Sequence, residues 1–120
     1  MGRLTTHVLD TALGRPGQGI PVSVFRLEAG GERRLLASML TNADGRCDAP
    51  LLEGEAFAAG RYELVFDTTA YFREAPGGAE LPDPPFVGEV VLRFGIAEAG
   101  QHYHVPLLVS PWSYSTYRGS

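Results

Sequence analysis

The chain alternates between two kinds of side chain in residues 101–110, QHYHVPLLVS. Every second residue from Tyr103 to Val109 is aromatic or aliphatic, and His102 and His104 stand on the alternate positions. A period of two is that of a β-strand, whose successive side chains point to opposite faces of a sheet. The alternation therefore predicts a strand with one face in a hydrophobic core and two histidines on the other face.

Other short apolar runs occur on both sides of this stretch, and clusters of Gly, Pro, Asn and Asp separate them. Turn residues at such short intervals are typical of an all-β chain. We expect strands at Leu4–Asp10, Ile20–Glu28, Arg34–Thr41, Arg46–Leu51, Gly60–Asp67, Phe86–Ile96, Gln101–Ser110 and Ser113–Arg118. A short helix is expected at Thr68–Ala75, before the helix-breaking residues 76–78, PGG. The pattern predicts a two-sheet antiparallel β-sandwich of about eight strands with one short helix.

Length and charge exclude several classes of protein. The 120 residues are too few for two well-buried cores, so we expect residues 1–120 to form a single domain. The net charge is -4 and all ten basic residues are Arg, which makes nucleic acid or an anionic membrane an unfavourable partner. No run approaches the roughly 18 apolar residues that span a bilayer. Without a recognisable signal peptide, the cytoplasm is the expected location, and a removed signal would make the periplasm equally compatible.

Three histidines supply the side chains that titrate near neutral pH. His7 shares a face of the first predicted strand with Thr5 and Leu9, while His102 and His104 share a face of a later strand. Taken singly, such a histidine is more often structural or solvated than functional. The three could also form a zinc triad of the catalytic type, although a spacing of two is common in strands and no supporting carboxylate can be assigned.

Arg46 follows the turn sequence TNADG, residues 41–45, which would hold its guanidinium at the start of a strand. Composition alone favours a solvated Arg beside a turn. The functional alternative is a planar fork that grips the oxygens of a small anion. The neighbouring Cys47 is the single cysteine and is interpreted as structural, because no disulfide within the chain is possible.

The histidine-bearing face of residues 101–110 is half polar and half apolar, since Pro106 and Leu108 share it with the two histidines. Such a face is unusual against water but suits a surface that another subunit covers, with its polar end lining a pocket. The last predicted strand also lacks charge near its middle, which favours pairing at an edge. We therefore expect the protein to form oligomers.

Four segments together resemble the transthyretin family over nearly the whole chain. They are LTTHVLDT at residues 4–11 with GRP at 14–16 and IPV at 20–22, TNADGR at 41–46, HYHVPLLVSP at 102–111, and SYSTYRGS at 113–120. The ending YRGS is typical of the family's enzymatic branch, the 5-hydroxyisourate hydrolases, and is lost in the hormone carriers. By itself, the final Gly-Ser could also be a cloning remnant. The carriers have Lys in place of His7 and Glu in place of Arg46, so this sequence resembles the enzymes at both positions. Residues 77–85 are longer and richer in Pro than the family pattern, which concerns only the geometry of that loop.

The resemblance implies an architecture and a site. The family fold is an eight-stranded sandwich with a short helix, whose edge strands pair into dimers, and two dimers meet around a channel as a homotetramer. The resemblance places the active site in that channel, lined by residues that match His7, Arg46, His104, Tyr117 and Ser120.

The implied reaction is hydrolysis of 5-hydroxyisourate, the unstable product of urate oxidation, without metal or cofactor. A catalytic role would fall to His7, Arg46, His104 and Ser120. The histidines would activate water and relay a proton, and the hydroxyl or terminal carboxylate of Ser120 would orient a histidine or the water. His7, Arg46 and Tyr117 would bind the substrate.

Two other functions stay open at this point. A non-catalytic carrier would bind a planar small molecule in the same channel, and a zinc hydrolase would use His7, His102 and His104. A purely structural or adhesion module is the least favoured interpretation, because it leaves the histidines on the predicted interface unexplained.

Overall fold

Alternating side chains produce the sandwich that the sequence predicts. The structure, a computed structural model, describes residues 2–120. The strands are β1 (Arg3–Asp10), β2 (Arg15–Pro16), β3 (Pro21–Leu27), β4 (Arg33–Leu40), β5 (Leu52–Glu53), β6 (Gly60–Asp67), β7 (Glu89–Ile96), β8 (Tyr103–Val109) and β9 (Tyr114–Thr116). The helix α1 covers Thr69–Glu74, within the predicted range, and 3-10 turns lie at Gly54–Ala56 and Gly78–Glu80. Among these elements, no helix has the length and apolar character needed to cross a membrane.

Two sheets pack against each other, so the predicted fold class is confirmed. One sheet has the strand order β2-β1-β8-β9, with β5 also pairing with β1, and the other has the order β4-β3-β6-β7. All the pairings in these two paths are antiparallel except that of β1 with β8, which is parallel. This parallel pair is decisive for the site, because it brings the N-terminal strand beside the strand that carries His104.

The alternation in β1 and β8 separates a core face from an outer face. Leu4 and Val8 of β1 and Leu107 and Val109 of β8 are fully buried. They pack with apolar residues of the second sheet in one hydrophobic cluster. Of the intervening residues on the outer face, Pro106 is buried and Arg3 is exposed, while the others, His104 among them, are half-buried. Burial of the apolar stripes thus sets which side chains are free to form a site.

The predicted strand Arg46–Leu51 is wrong. The chain touches the free edge of β1 at both ends of this segment, where the Val8 amide donates to the Gly45 carbonyl at 2.8 Å and the Leu51 amide donates to the Leu4 carbonyl at 2.8 Å. Residues 47–50 form no strand, and Pro50 has no amide hydrogen to donate to a ladder. Regular pairing resumes only at β5.

Four other predicted strands are longer than the observed ones. Phe86–Ile96 begins only at Glu89, and Ser113–Arg118 covers only Tyr114–Thr116. The predicted strands Gln101–Ser110 and Ile20–Glu28 are each shorter at both ends in the structure. Before β7, the Val87 amide donates to the Pro111 carbonyl in a loop instead of to a neighbouring strand. After β9, the tail continues beside β8 and meets it again where Gly119 pairs with His104, which matters for the site described next.

Candidate active site

The parallel register of β1 and β8 places Thr5 directly opposite His104 on the outer face of the sheet. The Thr5 hydroxyl oxygen lies 2.8 Å from His104 Nδ1 and 3.2 Å from His102 Nε2. The two imidazole rings are stacked, with centroids 6.4 Å apart and planes 12° from parallel. One hydroxyl therefore connects the two histidines of the sequence pair HYH.

Arg46 is held beside His7 by the turn that precedes it. The Asn42 side-chain oxygen accepts hydrogen bonds from the Asp44 and Arg46 amides, at 2.9 and 3.1 Å. Gly45 has a φ of 76°, and a Cβ there would collide with the Val8 carbonyl oxygen, so glycine is required for this close approach. Arg46 then forms an isolated bridge with His7. The predicted placement of Arg46 by the TNADG turn is correct, although no strand follows it.

The C-terminal tail folds onto His104. The Gly119 amide donates to the His104 carbonyl at 2.7 Å, forming an isolated bridge outside the named strands. The Arg118 guanidinium donates to the His102 carbonyl at 3.2 Å and lies 3.9 Å from the centre of the Tyr103 ring. A Cβ on Gly119 would lie 2.7 Å from His104 Cδ2, so a side chain at this position would press on the imidazole. These contacts make the tail a built part of the site.

An open cavity of about 620 Å³ lies where these segments meet. It is lined by Arg3, Thr5, Thr6, Arg46, Cys47, Asp48, Ala49, Pro50, His102, His104, Tyr117, Gly119 and Ser120. The structure thus brings together four of the five predicted site residues, and the irregular segment 47–50 forms one wall. His7 lies outside this lining but next to Arg46, with which it is paired. The roles assigned to all five residues remain predictions.

Burial and positive charge keep both site histidines neutral at pH 7. Partial burial lowers the pKa of His104, and the charges of Arg46, His102 and His7 lower it further. Partial burial also lowers the pKa of His7, followed by the charge of Arg46, while the carbonyl and carboxylate of Asp44 act in the opposite direction. A neutral imidazole can accept a proton, which is what activation of water requires.

The described residues offer no metal site. Within 2–120, no three His, Cys, Asp or Glu side chains come together closely enough to hold an ion. His102 and His104 instead direct ring nitrogens at Thr5. The triad of His7, His102 and His104 that a zinc hydrolase would use is therefore not assembled within the described residues of this chain.

Comparison with known proteins places the chain in a family. The model described as the HIUase/Transthyretin family matches residues 4–119. The chain belongs to this family. This confirms the resemblance that the sequence segments indicated.

Similar proteins include relatives named 5-hydroxyisourate hydrolase and a transthyretin solved with thyroxine. 5-hydroxyisourate hydrolase 2 of Rhizobium meliloti is 62% identical, over 99% of this chain and 97% of the relative. The solved 5-hydroxyisourate hydrolase of Klebsiella pneumoniae is 37% identical with a TM-score of 0.78, and each chain is covered completely. Sea bream transthyretin, solved with thyroxine, is 30% identical with a TM-score of 0.84, over 98% of this chain and 94% of that one. A 5-hydroxyisourate hydrolase and a transthyretin share the fold, so function must be argued from the site.

Sequence reasoning missed Thr5, Arg3 and Asp48 as residues of this HIUase/Transthyretin family site. Thr5 could have been found, because strand alternation already put it on the face of His7. Arg3 and Asp48 carried no such signal, since their place depends on the parallel β1–β8 pair and on the irregular segment 47–50.

Cys47 was interpreted as structural, and the structure adds that it is half-buried in the cavity wall. Burial and the charge of Asp48 raise the pKa of its thiol, which keeps it protonated.

Proposed function

We propose that this protein is a 5-hydroxyisourate hydrolase of urate degradation. It adds water to a ring amide carbonyl of 5-hydroxyisourate and opens the six-membered ring to 2-oxo-4-hydroxy-4-carboxy-5-ureidoimidazoline. The observation that carries the proposal is the convergence of His104, Arg46, Tyr117 and Ser120 on one cavity, beside His7. The 62% identity to a relative named 5-hydroxyisourate hydrolase 2 supports the same activity.

Hydrolysis of a cyclic amide needs a base for water and positive charge for the developing oxyanion. His104 and His7 supply neutral imidazoles in or beside the cavity. One takes a proton from water as the new C–O bond forms, and a proton is returned to the ring nitrogen as the C–N bond breaks. Arg46 offers several donors in one plane, which suits the imide oxygens of the substrate and the charge that grows on one of them.

The tail completes the proposed site. Tyr117 lines the cavity with a ring that can lie against the planar substrate. Ser120 follows Gly119, which is hydrogen-bonded to the backbone of His104, so its hydroxyl is well placed to orient a histidine or the attacking water.

A carrier of planar small molecules is the alternative that shares this fold. The specific features against it are the imidazole of His7, the guanidinium of Arg46 and the ordered YRGS tail. A binding pocket for a stable ligand has no need of two neutral imidazoles beside a fixed cation. The enzyme therefore explains more of the site.

We also infer that the protein assembles as a homotetramer, a dimer of dimers, around 5-hydroxyisourate sites. The support is the outer face of the five-stranded sheet, where Leu9 lies opposite Leu108 and both are half-buried beside the cavity face. A second copy covering these leucines would also shield the open cavity from bulk water, which strengthens electrostatic interactions inside it. The cytoplasmic location expected from the sequence stays a prediction.

Freshly generated 5-hydroxyisourate provides the test, because its absorbance falls as the ring opens. We expect the protein to accelerate this decay well above a protein-free blank, and chelators to leave the rate unchanged.

His104→Asn should reduce the enzymatic rate by at least about 100-fold, the typical contribution of a general base. Its melting temperature and molecular mass, measured in parallel, should match those of wild type. A wild-type rate equal to the blank would overturn the proposal, and full activity in His104→Asn would remove His104 from it.

A further inference from the structure

The Thr5 hydroxyl lies between the two imidazoles of the site. Its oxygen is 2.8 Å from His104 Nδ1 and 3.2 Å from His102 Nε2, both within hydrogen-bond distance. The placement follows from the sheet, since Thr5 and His104 are register partners and His102 is two residues earlier in the chain, on the same side as His104. Both imidazoles line the cavity, and His102 is the more exposed of the two.

The inventory of hydrogens restricts how these three groups can bond. A threonine hydroxyl has one hydrogen to donate and can accept others, and a neutral imidazole has one N–H and one bare nitrogen. Thr5 therefore donates to one histidine and accepts from the other. If His104 carries its hydrogen on Nδ1, it donates to Thr5, Thr5 donates to His102 Nε2, and His104 Nε2 remains bare.

We propose that Thr5 is a positioning residue that holds His104 as the Nδ1–H tautomer and links it to the more exposed His102 as a proton relay. This inference rests on the proposed function for its role in turnover. The bare His104 Nε2 takes a proton from water. The Nδ1 proton then passes to the Thr5 oxygen while the Thr5 proton passes to His102 Nε2.

The proton balance of the reaction shows what the relay does. Water supplies OH to the carbonyl carbon and H to the leaving ring nitrogen. During attack, the relay leaves His104 neutral with the proton from water on Nε2, and the positive charge is on His102. When Nε2 gives its proton to the leaving nitrogen, the His102 proton returns through Thr5 to Nδ1, which restores the starting tautomer. The carboxylic acid so formed then ionises at neutral pH and releases the one net proton of the turnover.

Exposure to solvent favours this direction. Arg46 is close enough to oppose a positive charge on His104, whereas Arg3 and Arg118 lie beside His102. Asp48 is the carboxylate side chain in the cavity lining. His102 is the more exposed imidazole, so water can stabilise its cation better than that of His104.

The relay is tested first by removing the hydroxyl at constant shape. Thr5→Val keeps the branched side chain that suits a strand, and we expect it to lower kcat by at least about tenfold with KM little changed, because substrate contacts are retained. Thr5→Ser keeps the hydroxyl and should recover most of kcat. Thr69→Val, on α1 in another part of the molecule, is the matched control and should behave as wild type.

Two further measurements separate a relay from a merely structural contact. His102→Phe keeps the ring but removes Nε2, and the double variant with Thr5→Val should be no slower than Thr5→Val alone, because both changes break the same chain. Nitrogen NMR of the ligand-free protein, at a pH where both imidazoles are neutral, should show His104 protonated on Nδ1 in wild type and a mixture of tautomers in Thr5→Val.

The outcomes distinguish this inference from the proposed function. A wild-type protein without hydrolytic activity would overturn the hydrolase assignment, whichever tautomer NMR shows. The relay alone would be overturned if the wild type hydrolyses the substrate and any one of three results is obtained. These are an unchanged kcat in Thr5→Val, an Nε2–H tautomer of His104 in the wild type, and additive losses in the double variant.

Discussion

Arg46 affects the site as a fixed positive charge as well as a hydrogen-bond donor. Its charge follows partial burial among the causes that lower the pKa of His104 and of His7. A lowered pKa means that both imidazoles stay neutral, and able to accept a proton, at pH values below the ordinary histidine pKa of about 6.5. The rate should therefore fall only when the pH falls below that value.

Arg46→Gln should raise the pKa of both histidines toward the ordinary value while burial continues to lower it. NMR titration of the imidazole protons measures this without relying on turnover. The sign is definite, because losing a nearby cation stabilises the protonated form. Arg61→Gln, an exposed position on β6 in the other sheet, serves as the control and should leave both titrations in place. Unchanged pKa values of His7 and His104 in Arg46→Gln would contradict the inference that the Arg46 charge lowers them.

Gly119 has no room for a side chain against the imidazole of His104. Its Cβ would lie 2.7 Å from His104 Cδ2 and 3.4 Å from Pro106 Cγ, so Gly119→Ala must displace the ring or the tail. We expect activity to fall by about 100-fold, as for a misplacement of a catalytic group by about 1 Å, with little change in melting temperature. Gly30→Ala is the matched control, because its Cβ meets open space and its φ is not positive. Wild-type activity in Gly119→Ala would show that the tail does not set the position of His104.

At the scale of elements, the tail after β9 continues along β8 without forming a regular strand. The bridge between Gly119 and His104 keeps the antiparallel register of β9 with β8, and Arg118 lies over the Tyr103 ring. The tail is mostly exposed, and Tyr117 is 60% exposed. It therefore contributes contacts to the cavity while burying little apolar area in the core.

Deleting residues 117–120 should abolish hydrolysis and leave the fold intact. The expected result is loss of the accelerated decay of 5-hydroxyisourate, with a β-sheet circular dichroism spectrum and a melting temperature close to those of wild type. Substituting Tyr117 alone by Phe keeps the backbone bridge and the ring, and should retain most of the activity. An active truncated protein would remove the tail from the site.

The alternation of apolar and polar residues predicts some of the strands but not the irregular segment 46–51. Alternation predicted β1 and β8 well because burying one face of a strand requires apolar residues at every second position. The segment 46–51 has the composition of a strand but lies at the free edge of β1, where Pro50 cannot donate to a ladder and nothing forces regular pairing. That deviation forms a wall of the cavity, and it depends on contacts distant in the chain.

At the scale of the whole molecule, the outer face of the five-stranded sheet joins the cavity to an apolar area around Leu9 and Leu108. If copies pack on this face, the molecular mass by light scattering should be four times the 12.9 kDa of one chain. Leu108→Glu would place a carboxylate on that area and should yield smaller species with reduced activity. Leu40→Glu, at a 64% exposed position on the other sheet, is the control and should remain tetrameric. A tetramer that tolerates Leu108→Glu would show that subunits meet elsewhere.

The amino-acid sequence alone determined the fold class, the helix and the family, because strand period, turn residues and family segments are local properties of the chain. It also identified His7, Arg46, His104, Tyr117 and Ser120 as candidates. Only the tertiary structure decided that β1 runs parallel to β8, which sets Thr5 between His102 and His104. Register between strands nearly a hundred residues apart arises from packing both sheets over a common core. No local pattern encodes it, and the hydrogen bonds that orient the histidines exist only after that packing.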